Sequence, residues 1–166
     1  VPYNPSLDFS GGFTWTGWVY LHDLRDGMVI NKWRGFHEDL AVKVLADGKL
    51  ELFAYWKGSG VSVQSASLLP TGKWFHFTCC CDANVASVYL NGRLDAQKNA
   101  RGGLGSSSAA IRVGAIDRGG GLVQPLRGRI SDLGMFDRVL APSEIAEIVS
   151  RRKGGAVQDG LAAHYN

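Results

Sequence analysis

"KWFHFTCCCDANVASVYLNGRLD", residues 73–95, decides the fold. Trp74 to Cys81 and Val85 to Leu90 are rich in aromatic and β-branched residues, and Asn91-Gly92 follows the second run. An Asn-Gly pair suits a type I′ turn because both of its central residues need positive φ, so the stretch predicts antiparallel strands closed by tight turns. Successive side chains on a strand point to opposite faces. Phe75, Phe77, Cys79 and Cys81 therefore share one face, and Trp74, His76, Thr78 and Cys80 the other. That alternation answers what three adjacent cysteines are for. Neighbours on a strand point apart, and positions i and i+2 lie at or beyond the usual disulfide Cα separation of roughly 4.4 to 6.8 Å. A zinc site needs four converging ligands, and no Cys-x-x-Cys, second cysteine cluster or His-x-x-x-His accompanies them. The thiols read as small hydrophobes in a buried strand.

The same pattern extends outward. Phe13 to Leu21 reads as a strand covered on both faces, followed by Met28 to Trp33, Leu40 to Leu45, Leu50 to Tyr55 and Val61 to Ser65. Asp47-Gly48 predicts a second type I′ hairpin. Ile111 to Gly114 and Leu126 to Phe136 add strands, "GGLGSSSAA" (102–110) reads as a mobile loop, and "AIDRGGGLVQP" (115–125) as a glycine-rich excursion. One helix is expected in "LAPSEIAEIVSRR", with Pro142 in its first turn and Ile145, Ile148 and Val149 as an apolar stripe. Trp15, Trp18 and Trp74 sit inside strand patterns and are expected in the core.

A chain of 166 residues supports one domain with a sizeable core. Its net charge of +3 comes from scattered basic residues, and the cluster Arg151-Arg152-Lys153 ends the expected helix, so no nucleic-acid partner is implied. No run of 18 apolar residues exists to insert in a membrane. The first residue is Val1 and no signal-like segment follows, which reads as an excised piece of a longer protein. Unpaired cysteines and the lack of an Asn-x-Ser/Thr acceptor fit a reducing compartment or a bacterial source.

The hairpin "TGKWFHFTCCCDANVASVYLNGRL", with "LDFSGGFTWTGWVY", "MVINKW", "DGKLELFAY" and "IRVGAID…LRGRISDLGMFDRVLAPSEIAEI" around it, resembles laminin-G-like, concanavalin-A-like jelly-roll domains. The likeness is spread over residues 7–149 and implies an all-β sandwich of two antiparallel sheets with one short C-terminal helix. It departs from the family pattern at the cysteines, where Ala, Val, Thr or Tyr is common. The resemblance implies a laminin-G-like domain over 1–153, with 154–166 an edge strand or a linker, and "DGLAAHY" looks like the opening of a further unit. It also favours an extracellular setting, against the sign given by the cysteines.

Glycosidases on this fold work with paired carboxylates, but no Glu-x-Asp-x-x-Glu strand occurs here. Glu38 reads as a loop residue, Glu51 lies beside the Asp47-Gly48 turn, and Glu144 and Glu147 lie on the helix. No Gly-x-Ser-x-Gly elbow is present, and His76 reads as a hydrogen-bonded strand histidine. A non-catalytic recognition module is the expectation, with a glycan ligand, or a protein partner in adhesion, and other domains of the parent chain as neighbours. A structural role within a larger protein is the remaining alternative. Aromatics on loops or a concave sheet stack on sugars, and the candidates are Trp56 above all, then Tyr55, Trp33, Phe36, His37 and Arg118. Relatives of this fold often carry calcium, for which Asp82, Asn84 or Asp132 are the residues to test, although hard-oxygen sites draw mostly on backbone atoms.

Overall fold

The computed structural model describes residues 1–33, 38–56, 59–100, 104–105, 107–151 and 157–165, with Glu38 described for its backbone only. Its strands are β1 (Phe13–Leu21), β2 (Gly27–Lys32), β3 (Glu38–Val44), β4 (Leu50–Trp56), β5 (Ser59–Gln64), β6 (Trp74–Cys81), β7 (Val85–Leu90), β8 (Arg93–Asn99), β9 (Ile111–Val113), β10 (Ile116–Asp117), β11 (Leu122–Val123), β12 (Gly128–Phe136) and β13 (Leu161–Tyr165). A helix, α1 (Pro142–Arg151), precedes β13. The first sheet has the order β13-β12-β1-β6-β7-β8 and the second β5-β4-β3-β2-β9, while β10 and β11 form a separate ribbon. The pairings within both sheets are antiparallel. This is a concanavalin-A-like jelly-roll sandwich with one short helix.

Strand parity builds the core. In the first sheet Phe13 pairs with Cys81, Trp15 with Cys79 and Val19 with Phe75, and Cys79 in turn faces Val88. This row meets Ile30, Val42, Val44, Leu50, Leu52 and Val63 of the second sheet in one buried cluster. Each such side chain gains about 1.5–3 kcal/mol from burial. Cys79 and Cys81 belong to that cluster, and all three thiols are free and buried. Burial, the larger cause, and neighbouring acidic groups push the Cys80 and Cys81 thiols up to about 12. They stay protonated near neutrality and pack as small apolar groups.

α1 lies on the outer face of the first sheet. Ile145 and Ile148 pack with Phe136, Leu140 and Val157. The Glu144 carboxylate accepts from the Ala141 N–H at 2.7 Å, closing the first turn as in a capping box, and pairs with Arg138 at 2.6 Å. At its other end Val149 rests on the Asn91-Gly92 turn, where a Cβ on Gly92 would sit 3.3 Å from the Val149 methyl. Asn91 and Gly92 have φ of 50° and 79°, the type I′ geometry expected of the pair.

Several expectations are corrected. Of Asp47-Gly48 only Gly48 has positive φ, at 84°, and Gly48 N–H donates to Leu45 O across a longer turn; the turn is not type I′. Glu38 begins β3 instead of lying in a loop. The excursion at 115–125 contains the β10–β11 ribbon, and β8, a polar strand of "RLDAQKN", carried no apolar alternation to reveal it. Trp74 is 43% exposed and Trp18 is half-buried, on the outer face of their sheet where α1 also packs. Trp15 alone of the three expected core tryptophans is fully enclosed. The loop expected at 102–110 and the basic cluster at 151–153 fall partly outside the described residues.

Candidate functional site: the aromatic face of the second sheet

Parity on β4 separates two aromatic neighbours. Leu50, Leu52, Ala54 and Trp56 turn toward the core, which leaves Glu51, Phe53 and Tyr55 on the outer face. Phe53 and Tyr55 stack with planes 5° apart and centroids 6.1 Å apart. Trp33, just past β2, lies 6.3 Å from Phe53 at a 31° tilt. The Arg118 guanidinium stands 5.9 Å from the Trp33 ring centre. Arg118, Trp33, Phe53 and Tyr55 thus make one continuous row, and three of the four are sequence candidates.

The ribbon places the arginine. Ile116 pairs with Val123 and Asp117 with Leu122, and Gly119 and Gly121, at φ of 79° and 128°, let residues 118–121 turn tightly between them. Ile116 is buried beside Met28 and Ala41, with Trp33 and Phe53 packed on that small cluster. The rings are therefore anchored from beneath. Tyr55 also needs its neighbour on β5 to be glycine, since a Cβ on Gly60 would come within 2.6 Å of the Tyr55 ring.

Polar groups around the row neutralise one another. Lys43 Nζ meets Glu51 Oε2 at 2.6 Å, and Ser62 donates to Glu51 Oε1 at 2.5 Å. Arg112 pairs with Asp117 at 2.8 Å. Asn31 donates to Ala115 O at 2.8 Å, while its buried Oδ1 has no donor among the described residues. Asp39 is buried beside Tyr55 in the register of β3 and β4. The face offers rings, hydrogen-bonding groups, two paired cations and the Arg118 guanidinium at one end.

Trp56 lines a narrow cleft with Phe9, Lys32, Leu40, Leu104, Gly105 and Ser107, which Tyr55 also borders, and the indole leaves no room for a Cβ on Gly105. The backbone at Gly105 lies directly on the ring. Phe36 and His37 lie outside the described residues. Phe53 was missed by the sequence reading; its place two residues before Tyr55 on an alternating strand was the available signal.

The calcium candidates do not converge. Asp82 Oδ1 accepts from the N–H groups of Asn84 and Val85, at 2.7 and 2.9 Å, and so caps the β6–β7 turn. Asp132 sits in a bulge of β12 with φ of 56° and meets His164 Nε2 at 2.5 Å. Among the described residues no group of three or more His, Cys, Asp or Glu side chains is arranged to hold a metal.

The comparisons follow this geometry. Residues 1–146 match a laminin G family model described as "Concanavalin A-like lectin/glucanases superfamily". Comparison with curated proteins gives no match. Among solved structures, a Bacteroides ovatus protein described as a "putative carbohydrate binding protein" superposes with a TM-score of 0.77 at 18% identity, over 100% of this chain and 48% of that one. The chain thus spans about half of that protein's length. Domains LG4-5 of the mouse laminin alpha1 chain give 0.65 at 12% identity, over 81% of this chain and 37% of theirs. The binding domain of botulinum neurotoxin DC, in complex with SialylT, gives 0.64 at 14%, over 86% and 36%. At these identities the likeness is one of fold, while the family match spans nearly the whole sequence: the chain belongs to the concanavalin A-like lectin/glucanases superfamily.

Proposed function

We propose that this domain is a non-catalytic carbohydrate-recognition module that seats uncharged sugar rings on the Trp33–Phe53–Tyr55 row. The observation that carries the reading is the row itself: rings spaced 6.3 and 6.1 Å apart, anchored from below and bordered by hydrogen-bonding groups. Sugar C–H faces stack on such rings, and neighbouring amide and carboxylate groups fix the hydroxyls. Arg118 supplies a cation at one end of the row. Trp56, closed over by Gly105, serves the reading as a packing residue at the edge of the site. Solved structures of like fold whose names refer to carbohydrate binding or to a bound sialyl ligand lend support at the level of fold. Among the described residues Glu51 is held by Lys43 and Ser62, and Asp117 by Arg112. That arrangement argues for binding without turnover.

A protein-adhesion reading draws on Leu122, 70% exposed at the ribbon beside Arg118. A glycan array followed by titration calorimetry separates the two. A neutral oligosaccharide hit that Tyr55→Ala weakens supports the glycan reading. An array without hits, together with a protein partner lost on Leu122→Asp, replaces it.

A further inference from the structure

We propose a second saccharide site, specific for acidic sugars, on the half of the first sheet's outer face that α1 leaves uncovered. Tyr20 of β1 and Trp74 of β6 are Cα partners there, and their rings meet edge to face at 5.8 Å. His22 adds an edge contact on Tyr20 at 5.3 Å, and the Arg129 guanidinium lies 5.8 Å from the Tyr20 centroid. The next rung inward is Trp18 against His76, at 5.1 Å. Trp74 is 43% exposed, an uncommon position for so large a ring. Arg129, over the Tyr20 ring, is exposed, and so is Lys73, the residue that precedes Trp74 in the chain.

The occupant follows from charge. Neither Arg129 nor Lys73 has an ion-pair partner among the described residues, and the nearby Asp23 is already shared by Arg25 at 3.5 Å and Arg127 at 3.9 Å. The platform therefore combines exposed ring surface with uncompensated positive charge. A sugar that carries a carboxylate or a sulfate satisfies both: its ring stacks on Trp74 and Tyr20, and its anion takes charge-assisted hydrogen bonds from Arg129 and Lys73. A neutral sugar would leave the cations unused. The site is separate from the Trp33–Phe53–Tyr55 row, which lies on the other sheet, and stands whether or not that row binds sugar.

The test is calorimetric titration of the intact chain with three probes: a galacturonic acid hexamer, its methyl-esterified neutral form, and a heparin-derived hexasaccharide. We expect at least one acidic probe to bind, and Trp74→Ala and Arg129→Gln each to weaken it by about tenfold or more. Tyr55→Ala should leave that affinity unchanged, and the choice between the two acidic probes identifies the anion as carboxylate or sulfate. Both substitutions lie at the surface, and Arg129→Gln keeps the strand polar, so folding is preserved. Failure of both acidic probes, equal affinity for the esterified hexamer, or indifference to Trp74→Ala and Arg129→Gln overturns the proposal. So does loss of acidic binding on Tyr55→Ala, which would place the ligand on the second sheet.

Discussion

The two sheets present aromatic rings to the outside in different electrostatic settings. On the second sheet the Trp33–Phe53–Tyr55 row is bordered by Lys43–Glu51 and Arg112–Asp117, pairs at 2.6 and 2.8 Å that cancel most of the local charge. On the first sheet Tyr20 carries the Arg129 guanidinium over its ring, with no carboxylate paired to that cation among the described residues, and the exposed Lys73 precedes Trp74 in the chain. The first sheet's outer face is itself divided. One half is a secondary core under α1, and the other is open. The difference teaches that two exposed sets of rings on one sandwich need not be equivalent; on the proposals above, ligand preference follows from which carboxylates the neighbouring strands supply.

The largest effect should come from erasing the division between covered and open halves. Ile148 is fully buried under α1 with Phe136 and Leu140. Ile148→Ala should cost about 2–5 kcal/mol of stability, through lost burial and a residual cavity. Trp74→Ala on the open half should cost about 1 kcal/mol or less, the worth of a cross-strand pair. Denaturant unfolding of both variants checks this. If the two cost the same, the open half is as structural as the covered one, and the ligand-binding reading of Trp74 loses its footing.

At the border between the halves sits His76. It is buried, its Nε2 contacts Thr16 Oγ1 at 3.0 Å, Trp18 packs on its ring, and its Nδ1 has no partner among the described residues. Its backbone N–H donates to Asn91 Oδ1, which ties it to the type I′ turn. Desolvation, opposed in part by the Asp132 charge, lowers its pKa from 6.5 to about 4. The unfolded chain therefore takes up a proton at this residue before the folded one does. Stability should fall as the pH drops from about 6.5 toward 4 and level off below, by a total on the order of 3 kcal/mol. Unfolding free energies measured across that window should show the slope in the native chain and a flatter line in His76→Gln. An unchanged slope would move the acid sensitivity to another group.

The sandwich was legible because burial imposes a period. β1, β6 and β7 are runs of aromatic, β-branched and small apolar residues, and the sequence bounds Phe13–Leu21, Trp74–Cys81 and Val85–Leu90 coincide with the strands observed. β8 and the β10–β11 ribbon were not legible, since their exposed polar or glycine-rich residues carry no such period. Trp74 was misread for a related reason. Its strand is a core strand, but parity fixes only which face a residue occupies, and whether α1 reaches that end of the face is a tertiary fact. The second-sheet row was half legible: Tyr55, Trp33 and Arg118 could be named as separate loop aromatics and a loop cation. That they meet through Phe53 depends on a bulge of β2 between Met28 and Ile30 and on a ribbon that sequence could not place.

Specificity of the second-sheet row gives the next, smaller effect. Tyr55→Ala and Trp33→Ala should each weaken a neutral oligosaccharide about tenfold, or about 1.4 kcal/mol, while leaving the affinity of an acidic hexamer unchanged. Gly60→Val is a sharper version, because it keeps Tyr55 but displaces its ring. Loss of neutral binding in Gly60→Val with the fold intact, read by calorimetry alongside circular dichroism, would assign the effect to the position of the ring. Equal losses for neutral and acidic probes in any of the three would mean that a single surface serves both.

Ionic strength should produce the smallest effect and divide the faces by sign of charge alone. Charges separated by more than a Debye length, about 10 Å at 0.1 M salt, are screened, while stacking and neutral hydrogen bonds are little affected. Raising salt from about 0.02 to 0.5 M should weaken the acidic hexamer a few-fold, because Arg129 and Lys73 act from an exposed surface. The neutral ligand on the second sheet should hold its affinity, since Lys43 and Arg112 are already compensated by Glu51 and Asp117. In Arg129→Gln the salt dependence of acidic binding should shrink along with the affinity itself. Salt sensitivity that survives intact in that variant would show that the cation responsible lies elsewhere, and would detach the charge of the open face from its rings.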